Sequence, residues 1–184
     1  MSPYSRKAAC GGWGFAEATL FFILPDVLLS YFALKRKVSL LPLIAWATVG
    51  AIIGGVLMYY WGTLSPETSW QWVERVPAIN AELLYTVEQQ LTSQGAVSII
   101  LGPFQGLPYK TYAVQAYDAG ISLEVFVVIS IIARVMRFML IGYVARGISH
   151  LLKRRFGFEQ RGCVMTWGLV WFGVYLAYFS AFPS

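Results

Sequence analysis

The sequence predicts an all-α integral membrane protein, and three observations support this prediction. Of its 184 residues, 58% are hydrophobic and 12% are charged, and the mean hydropathy is +0.60, far from the averages of soluble domains. Several uncharged runs match the roughly 20 residues that cross a bilayer as a helix. Basic residues cluster beside these runs, as they do in cytoplasmic loops. The net charge of +5 therefore indicates membrane topology, and no nucleic-acid partner is expected.

The first predicted element is a re-entrant helical hairpin over residues 11–34. The segment contains Glu17, Pro25 and Asp26, and basic residues flank it on both sides. A single span would leave one basic cluster outside, against the positive-inside tendency. The chain is therefore expected to enter and leave on the cytoplasmic side, with a cytoplasmic N-terminus and no cleaved signal peptide. An ordinary kinked span is the alternative.

The next two segments are an uncharged span and a polar external loop. Residues 38–62 predict a transmembrane helix, in which Gly50 and Gly54 have the small-xxx-small spacing that lets helices approach closely. We expect this spacing to serve packing within the chain. Residues 63–94 are acidic and predict an external loop, with an amphipathic helix after Pro77 that lies at the outer interface. The helix is expected to be a structural connector, with a peripheral lid as the alternative.

A second broken segment lies in residues 95–121. Two prolines, two glycines and Lys110 separate two apolar runs there. Irregular backbone at membrane depth is tolerated only where it is buried in protein or lines a polar cavity. The remaining prediction is a transmembrane helix over 122–145, a basic cytoplasmic loop over 146–161 and a final transmembrane helix over 162–182. With that loop inside, the segment 95–121 must enter and leave on the outer face as a second re-entrant hairpin.

The two broken segments share a short repeat. Residues 21–25 and 104–108 both read F-x-x-L-P, at an offset of 83 residues. Because charge bias places one hairpin inside and the other outside, the repeats are expected to be inverted. Inverted repeats with paired broken helices indicate a transporter site near the midplane. Pro25 and Pro108 break the hairpins and can start short helices, whose N-termini favour an anion.

Charged residues within the predicted membrane segments are the candidates for the site. They are Glu17, Asp26, Lys110, Arg134 and Arg137. Each costs about 2.5–3.5 kcal/mol at the centre of a membrane helix, so a polar interior is expected. One hypothesis is that the three cations bind a phosphate while a carboxylate, Glu17 or Asp26, exchanges protons, because desolvation favours the protonated carboxyl. The other is a structural ion-pair network, such as Arg134 with Glu17.

Gln105 and Tyr109 are further candidates for substrate binding, through hydrogen bonds inside the cavity. Nothing indicates an enzyme, since the sequence has no nucleophile with an adjacent base, no metal cluster and no phosphate-cradling glycine motif. His150 is the only histidine, and Cys10 and Cys163 are far apart in apolar surroundings. We expect free buried thiols, with no metal or cofactor.

These residues together resemble the DedA/VTT superfamily, also called SNARE-associated Golgi protein-like. The resemblance covers nearly the whole chain, and its P-Y-K element is that of the short bacterial branch. The matching stretches are FAEAT at 15–19 leading to LPD at 24–26, the small-residue run at 50–55 before Tyr59, LPYK at 107–110 followed by Gly120, and ARVMRF at 133–138.

The resemblance implies two opposed re-entrant hairpins, a bacterial inner membrane location and movement of lipids between leaflets. It also implies roles for Glu17, Asp26, Arg134 and Arg137. The larger bacterial branch has an arginine near the second hairpin's proline, whereas Lys110 is the only cation there in this chain, which leaves the lipid open.

The leading functional hypothesis is a flippase or scramblase for an anionic phosphate lipid, such as a polyprenyl phosphate or a phospholipid, with the proton as a candidate coupling ion. A proton-coupled transporter of small ions or solutes is one alternative. A non-transporting membrane scaffold, in which the charges only hold helices together, is the other. The expected partners are the bilayer and its lipids, and a homo-oligomer is compatible with the sequence.

Overall fold

The computed structural model describes residues 2–35 and 37–181 and contains no β-strand within them. The prediction of an all-α protein is therefore confirmed. The helices are α1 (Pro3–Ala18), α2 (Pro25–Ala33), α3 (Leu41–Leu64), α4 (Pro66–Glu74), α5 (Ala81–Gln94), α6 (Ser98–Leu101), α7 (Tyr109–Gln115), α8 (Leu123–Phe156) and α9 (Gln160–Ala181), with 3-10 turns at Gly95–Val97 and Gly102–Phe104. Three of them, α3, α8 and α9, are long and apolar enough to cross a membrane.

Helices α1 and α3 pack closely side by side because both present glycines at their contact. A Cβ atom added to Gly50 would lie 1.9 Å from the carbonyl oxygen of Gly11, and one added to Gly54 would lie 2.8 Å from that of Phe15. Since Gly11 meets Gly50 and Phe15 meets Gly54, the two helices run in the same direction. The small-xxx-small spacing therefore serves packing within the chain, as expected.

Helix α1 begins eight residues before the predicted start of the first hairpin. The side chain of Ser2 accepts a hydrogen bond from the Ser5 amide at 3.1 Å, and Pro3 occupies the first helical turn. A serine cap followed by proline favours a helix start, which hydropathy alone does not detect. The basic residue Arg36, in the cluster predicted after this hairpin, lies outside the described residues.

The first two helices form a hairpin whose ends lie at the same end of the molecule. Helices α3 and α8 are antiparallel, since Leu40 lies beside Gly142 while Tyr59 donates to the carbonyl oxygen of Ile121 at 2.8 Å. Helix α2 runs parallel to α8, because Asp26 pairs with Arg137 at its start and Lys153 donates to Leu34 just after its end. The chain therefore ascends with α1, reverses over residues 19–24 and descends with α2.

A second hairpin approaches from the other end of the molecule. Gln115 donates to the carbonyl oxygen of Leu84, whereas Tyr112, three residues earlier on α7, donates to Gln90, six residues later on α5. Helices α5 and α7 are therefore antiparallel, and the chain reverses between them over residues 103–108.

The amphipathic helix differs from the prediction in extent. The polar segment 63–94 forms two helices, α4 and α5, and the apolar side of α5 is buried against α7. Its buried residues are Leu83, Leu84, Val87 and Leu91. The sequence pattern identified the apolar face correctly, but periodicity does not tell whether protein or lipid covers such a face.

The structure also differs from the predicted basic loop over 146–161. Helix α8 continues to Phe156, and Gly157 ends it in the left-handed conformation with φ +66°. No proline interrupts this stretch, and Lys153, Arg154 and Arg155 in the last turn complement the negative end of the helix dipole. The final predicted span ends at Phe182, which lies outside the described residues.

Two hydrophobic clusters build the core. One joins α3, α4, α5 and α7, and the other joins α1, α2 and the first half of α3. On α8, Phe126 belongs to the first cluster and Phe138 to the second, with Arg134 between them. The buried charges therefore lie between two apolar layers.

Candidate functional site

The two chain reversals meet in the middle of the molecule. Lys110, in the first turn of α7, donates through Nζ to the carbonyl oxygen of Phe21 at 2.6 Å. Arg137 of α8 donates through Nη1 to the carbonyl oxygen of Pro103 at 3.3 Å. Residues 19–24 are called the first tip below, and residues 103–108 the second tip.

Local sequence explains why the helices stop at these tips. The hydroxyl of Thr19 donates to the carbonyl oxygens of Phe15 and Ala16, which ends α1, and Pro25 starts α2. In the second tip, Gly106 has φ +90°, a conformation that glycine adopts without steric cost. Pro108 is extended and directly precedes α7.

Arg134 and Glu17 form a buried ion pair at 2.8 Å, and each side chain is 3% exposed. The Arg134 guanidinium lies over the Tyr109 ring at 4.1 Å from its centroid, and the Tyr109 hydroxyl donates to Ser130 at 2.8 Å. A cation over an aromatic face is stabilised by the ring quadrupole. The Nε atom of Arg134 has no hydrogen-bond partner among the described residues. Arg134 is thus held firmly while one of its donors stays unused.

Arg137 and Asp26 form the second ion pair, in which Asp26 is buried and the Arg137 side chain is 14% exposed. Nη2 of Arg137 lies 2.7 Å from Oδ2 of Asp26, and Nε donates to the same oxygen at 2.8 Å. Asp26 Oδ1 has no hydrogen-bond partner in the described part of the chain. Together with its bond to Pro103, this pair ties α8 to both hairpins. Arg134 and Arg137 are three residues apart and share a helix face, as expected.

Lys110 differs from the two arginines because it has no carboxylate partner among residues 2–35 and 37–181. It is 2% exposed, and its ammonium group donates to a backbone carbonyl only. The five charges of the cluster sum to +1, and the two ion pairs cancel four of them. The remaining positive charge of the cluster is therefore that of Lys110.

A cavity of about 210 Å³ opens beside these charges, and we call it the tip cavity. Its polar walls come from Glu17, Lys110 and Arg137, and both tips contribute apolar walls. The connection between α4 and α5 also lines it, through Val76, Pro77 and Ile79. The polar segment that was expected to be a structural connector thus forms part of the cavity wall.

A second, larger space of about 360 Å³ lies between α2, α8 and α9, and we call it the helix groove. Its walls are mostly aliphatic and aromatic. Three residues, Leu24, Arg137 and Val174, line both the tip cavity and the helix groove. The two spaces therefore adjoin at the Arg137–Asp26 ion pair.

Helix α9 is joined to the rest of the molecule by aromatic side chains on one face. Trp167 and Trp171 both donate to the Ser30 hydroxyl, at 2.9 and 3.0 Å, and the Tyr175 hydroxyl accepts from the Leu24 amide at 3.0 Å. Sequence reasoning missed this contribution. The signal was the four-residue spacing of 167, 171 and 175, which places the three rings on one helix face.

Of the predicted site residues, the structure brings together Glu17, Asp26, Tyr109, Lys110, Arg134 and Arg137. It does not bring Gln105 to them, since Gln105 is exposed and accepts from Gln90 at 2.9 Å. Pro25 and Pro108 lie where α2 and α7 begin, as predicted. Cys10 and Cys163 are buried and free, also as predicted.

Comparisons with known proteins leave the family open. No model of a known protein family matches the chain, and no solved structure matches it. The chain is 26% identical over 173 residues to an uncharacterized protein of Haemophilus influenzae, and the matched region covers 90% of this chain and 83% of that protein.

Proposed function

We propose that the protein moves a lipid with an anionic phosphate headgroup, such as a polyprenyl phosphate or a phospholipid, between the leaflets of a bacterial inner membrane. The observation that carries this proposal is the position of Lys110. It is a buried cation without a carboxylate partner among the described residues, and it lines a cavity in a chain with three candidate spans. A buried charge is costly unless it is paired, and an anion in the tip cavity would pair it.

The donors around the cavity suit a phosphate. Lys110 supplies a positive charge, Arg137 lines the same cavity, and Arg134 beside them has an N–H group at Nε with no partner among the described residues. Arginine and lysine are the side chains that bind phosphate in proteins. A phosphate monoester or diester offers several acceptor oxygens to such a set.

The proposed membrane topology is a pair of inverted, re-entrant hairpins. The approach of α1–α2 from one end and of α5–α7 from the other supports it, as does the meeting of their tips beside Lys110. Arg146, Lys153, Arg154 and Arg155 lie together at one end of α8. By the positive-inside tendency that end is cytoplasmic, and so is the N-terminus. The arrangement is the one that the resemblance to the DedA/VTT superfamily implies.

Proton coupling is part of the proposal because each arginine is held by a carboxylate. Protonation of Asp26 would free Arg137 for a phosphate oxygen, and protonation of Glu17 would do the same for Arg134. Proton binding and phosphate binding would then favour each other, which is the reciprocity that linkage requires.

Reconstitution into liposomes tests the proposal. The labelled substrates are a polyprenyl phosphate, an anionic phospholipid, a zwitterionic phospholipid and free inorganic phosphate. We expect transbilayer movement of at least one phosphate lipid to exceed that in protein-free liposomes. Movement no faster than in protein-free liposomes for every lipid would refute the proposal, and flux of free phosphate alone would identify a small-solute transporter instead.

A membrane scaffold is the second candidate, and the two ion pairs favour it. In a scaffold the charges only hold α8 against the two hairpins. Exchanging the partners, as in Glu17→Arg with Arg134→Glu, would then restore function, and Arg134→Lys or Arg137→Lys would have little effect. A transporter that binds phosphate through these arginines would lose activity in all of these variants.

A further inference from the structure

The helix groove continues from the tip cavity into the other half of the molecule. We propose that it binds one hydrocarbon chain of the lipid whose phosphate occupies the tip cavity. The assignment of the headgroup rests on the proposed function, whereas the assignment of the chain rests on the groove itself.

The walls of the groove suit a hydrocarbon chain along their whole length. From α8 come Ile141, Val144, Ile148 and Leu152, and from α9 come Val170 and Val174. The charged groups of the groove lie at the end near Arg137, where Asp26 binds that arginine. At the other end the hydroxyls of Ser149 and Thr166 are already bound to backbone carbonyls. A ligand that fits has a polar end beside Arg137 and an apolar body beyond it.

The junction between the two spaces is placed for such an amphiphile. Arg137, Leu24 and Val174 line both spaces, so a phosphate beside Lys110 and Arg137 has its ester carbon close to the opening of the groove. The cluster beside that junction carries a net charge of +1, which complements an anionic head. A free phosphate ion would use the tip cavity and leave the groove without a role.

The charges at one end of the groove argue against an apolar helix of a second copy as its occupant. Such a helix would place apolar side chains against Arg137 and Asp26, whereas a lipid places its polar end there. An extended chain one methylene wide fits this space, and α8 and α9, which both qualify as membrane spans, give it access from the bilayer.

Photo-crosslinking in liposomes tests the assignment. The probe is a single-chain or double-chain anionic phosphate lipid with a diazirine in the middle of its chain, and adducts on the full-length protein are mapped by mass spectrometry of its peptides. We expect several-fold more adduct on the groove residues Ile141, Leu152 and Trp167, which are only partly exposed, than on Met139, Tyr143 and Phe172. The latter three are exposed on the opposite sides of the same helices and report ordinary contact with bilayer lipid.

Groove-filling variants complete the test. Val144→Trp, or Ile141→Trp if that variant does not fold, is expected to abolish the groove adducts, whereas Tyr143→Trp on the outward side leaves them unchanged. Equal labelling of both sides, or groove adducts that persist in a folded Trp variant, would overturn the proposal. So would an absence of groove adducts, which is the outcome expected if a second copy of the chain fills the groove. Groove adducts without transbilayer movement would refute the proposed function but not the hydrocarbon-chain site. Transbilayer movement with equal labelling of both helix sides would refute the hydrocarbon-chain site but not the proposed function.

Discussion

At the scale of single residues, the two ion pairs and Lys110 have different roles. Each pair places an arginine of α8 against a carboxylate of the first hairpin, at 2.8 and 2.7 Å. Such pairs contribute little net stability relative to apolar residues, but breaking one leaves an uncompensated buried charge. Among the described residues, Lys110 has only a carbonyl partner, and that difference separates a structural contact from a group available to a ligand.

The Glu17–Arg134 pair gives the first prediction at this scale. Glu17→Gln leaves Arg134 charged and unpaired in a dry interior, so we expect it to lower the free energy of unfolding by about 3–5 kcal/mol. The double variant Glu17→Gln with Arg134→Met removes both charges. Its loss in the free energy of unfolding is expected to be much smaller than the sum of the losses of the two single variants, Glu17→Gln and Arg134→Met. Denaturant unfolding of the purified protein in mixed micelles measures these differences.

Glu67→Gln is the matched control for this cycle. Glu67 is exposed in the first turn of α4, so the same chemical change there should alter the free energy of unfolding by no more than about 0.5 kcal/mol. If Glu17→Gln changes the free energy of unfolding no more than the control does, the ion pair contributes nothing to stability and our description of the charge cluster is wrong.

At the scale of elements, the contact of α1 with α3 fixes the position of the first tip. The helices approach so closely that backbone faces backbone at Gly50. Glu17 and Thr19 follow directly on the same helix, so any separation of α1 from α3 displaces the Glu17 carboxylate and the first tip together.

Two glycine-to-alanine variants test this contact. Gly50→Ala places a methyl group 1.9 Å from the Gly11 carbonyl oxygen, and overpacking of this kind costs about 1–3 kcal/mol or more. Gly12→Ala, on the exposed side of α1, meets nothing within 4 Å and should gain up to about 1 kcal/mol from helix propensity. Thermal unfolding followed by circular dichroism measures both. An equal change in melting temperature for the two variants would contradict the described packing of α1 against α3.

Several elements were predictable because their signals are local. The uncharged run of α3, the two proline-marked breaks and the glycine spacing follow from hydropathy and backbone chemistry alone. The length of α8 was not predicted, because basic residues were interpreted as a loop although nothing breaks the helix before Gly157. The docking of α5 onto α7 was missed for another reason. An amphipathic pattern identifies an apolar face but does not tell whether protein or lipid covers that face.

At the scale of the whole molecule, the site is the place where distant segments converge. Residues from 17 to 137 contribute the five charges of the cluster, and the sequence identified all five because charges are expensive in a membrane. Their pairing was only partly predictable. Arg134 with Glu17 was anticipated as an example, but the partner of Arg137 and the lack of a carboxylate partner for Lys110 depend on how the two tips meet. The contribution of α9 was not anticipated, since its aromatic residues also suit contact with lipid.

The convergence of both hairpins, α8 and α9 also explains why two spaces adjoin at one ion pair. The tip cavity is bounded by both hairpins and the α4–α5 connection, and the helix groove by α2, α8 and α9. A ligand that moves from one to the other passes Arg137, which is therefore the residue that both proposals share.

The most direct test of the central claim compares two lysines in the same transport assay. The initial rate of transbilayer movement of an anionic phosphate lipid is measured in liposomes containing the wild type, Lys110→Gln or Lys153→Gln. A hydrogen bond to a charged group is worth about 1.5–3 kcal/mol, so we expect Lys110→Gln to lower the rate about tenfold or more. Lys153 lies at the far end of α8, where it donates to Leu34 and Gln160, and its variant should retain the wild-type rate. Equal rates in wild type and folded Lys110→Gln would contradict the account.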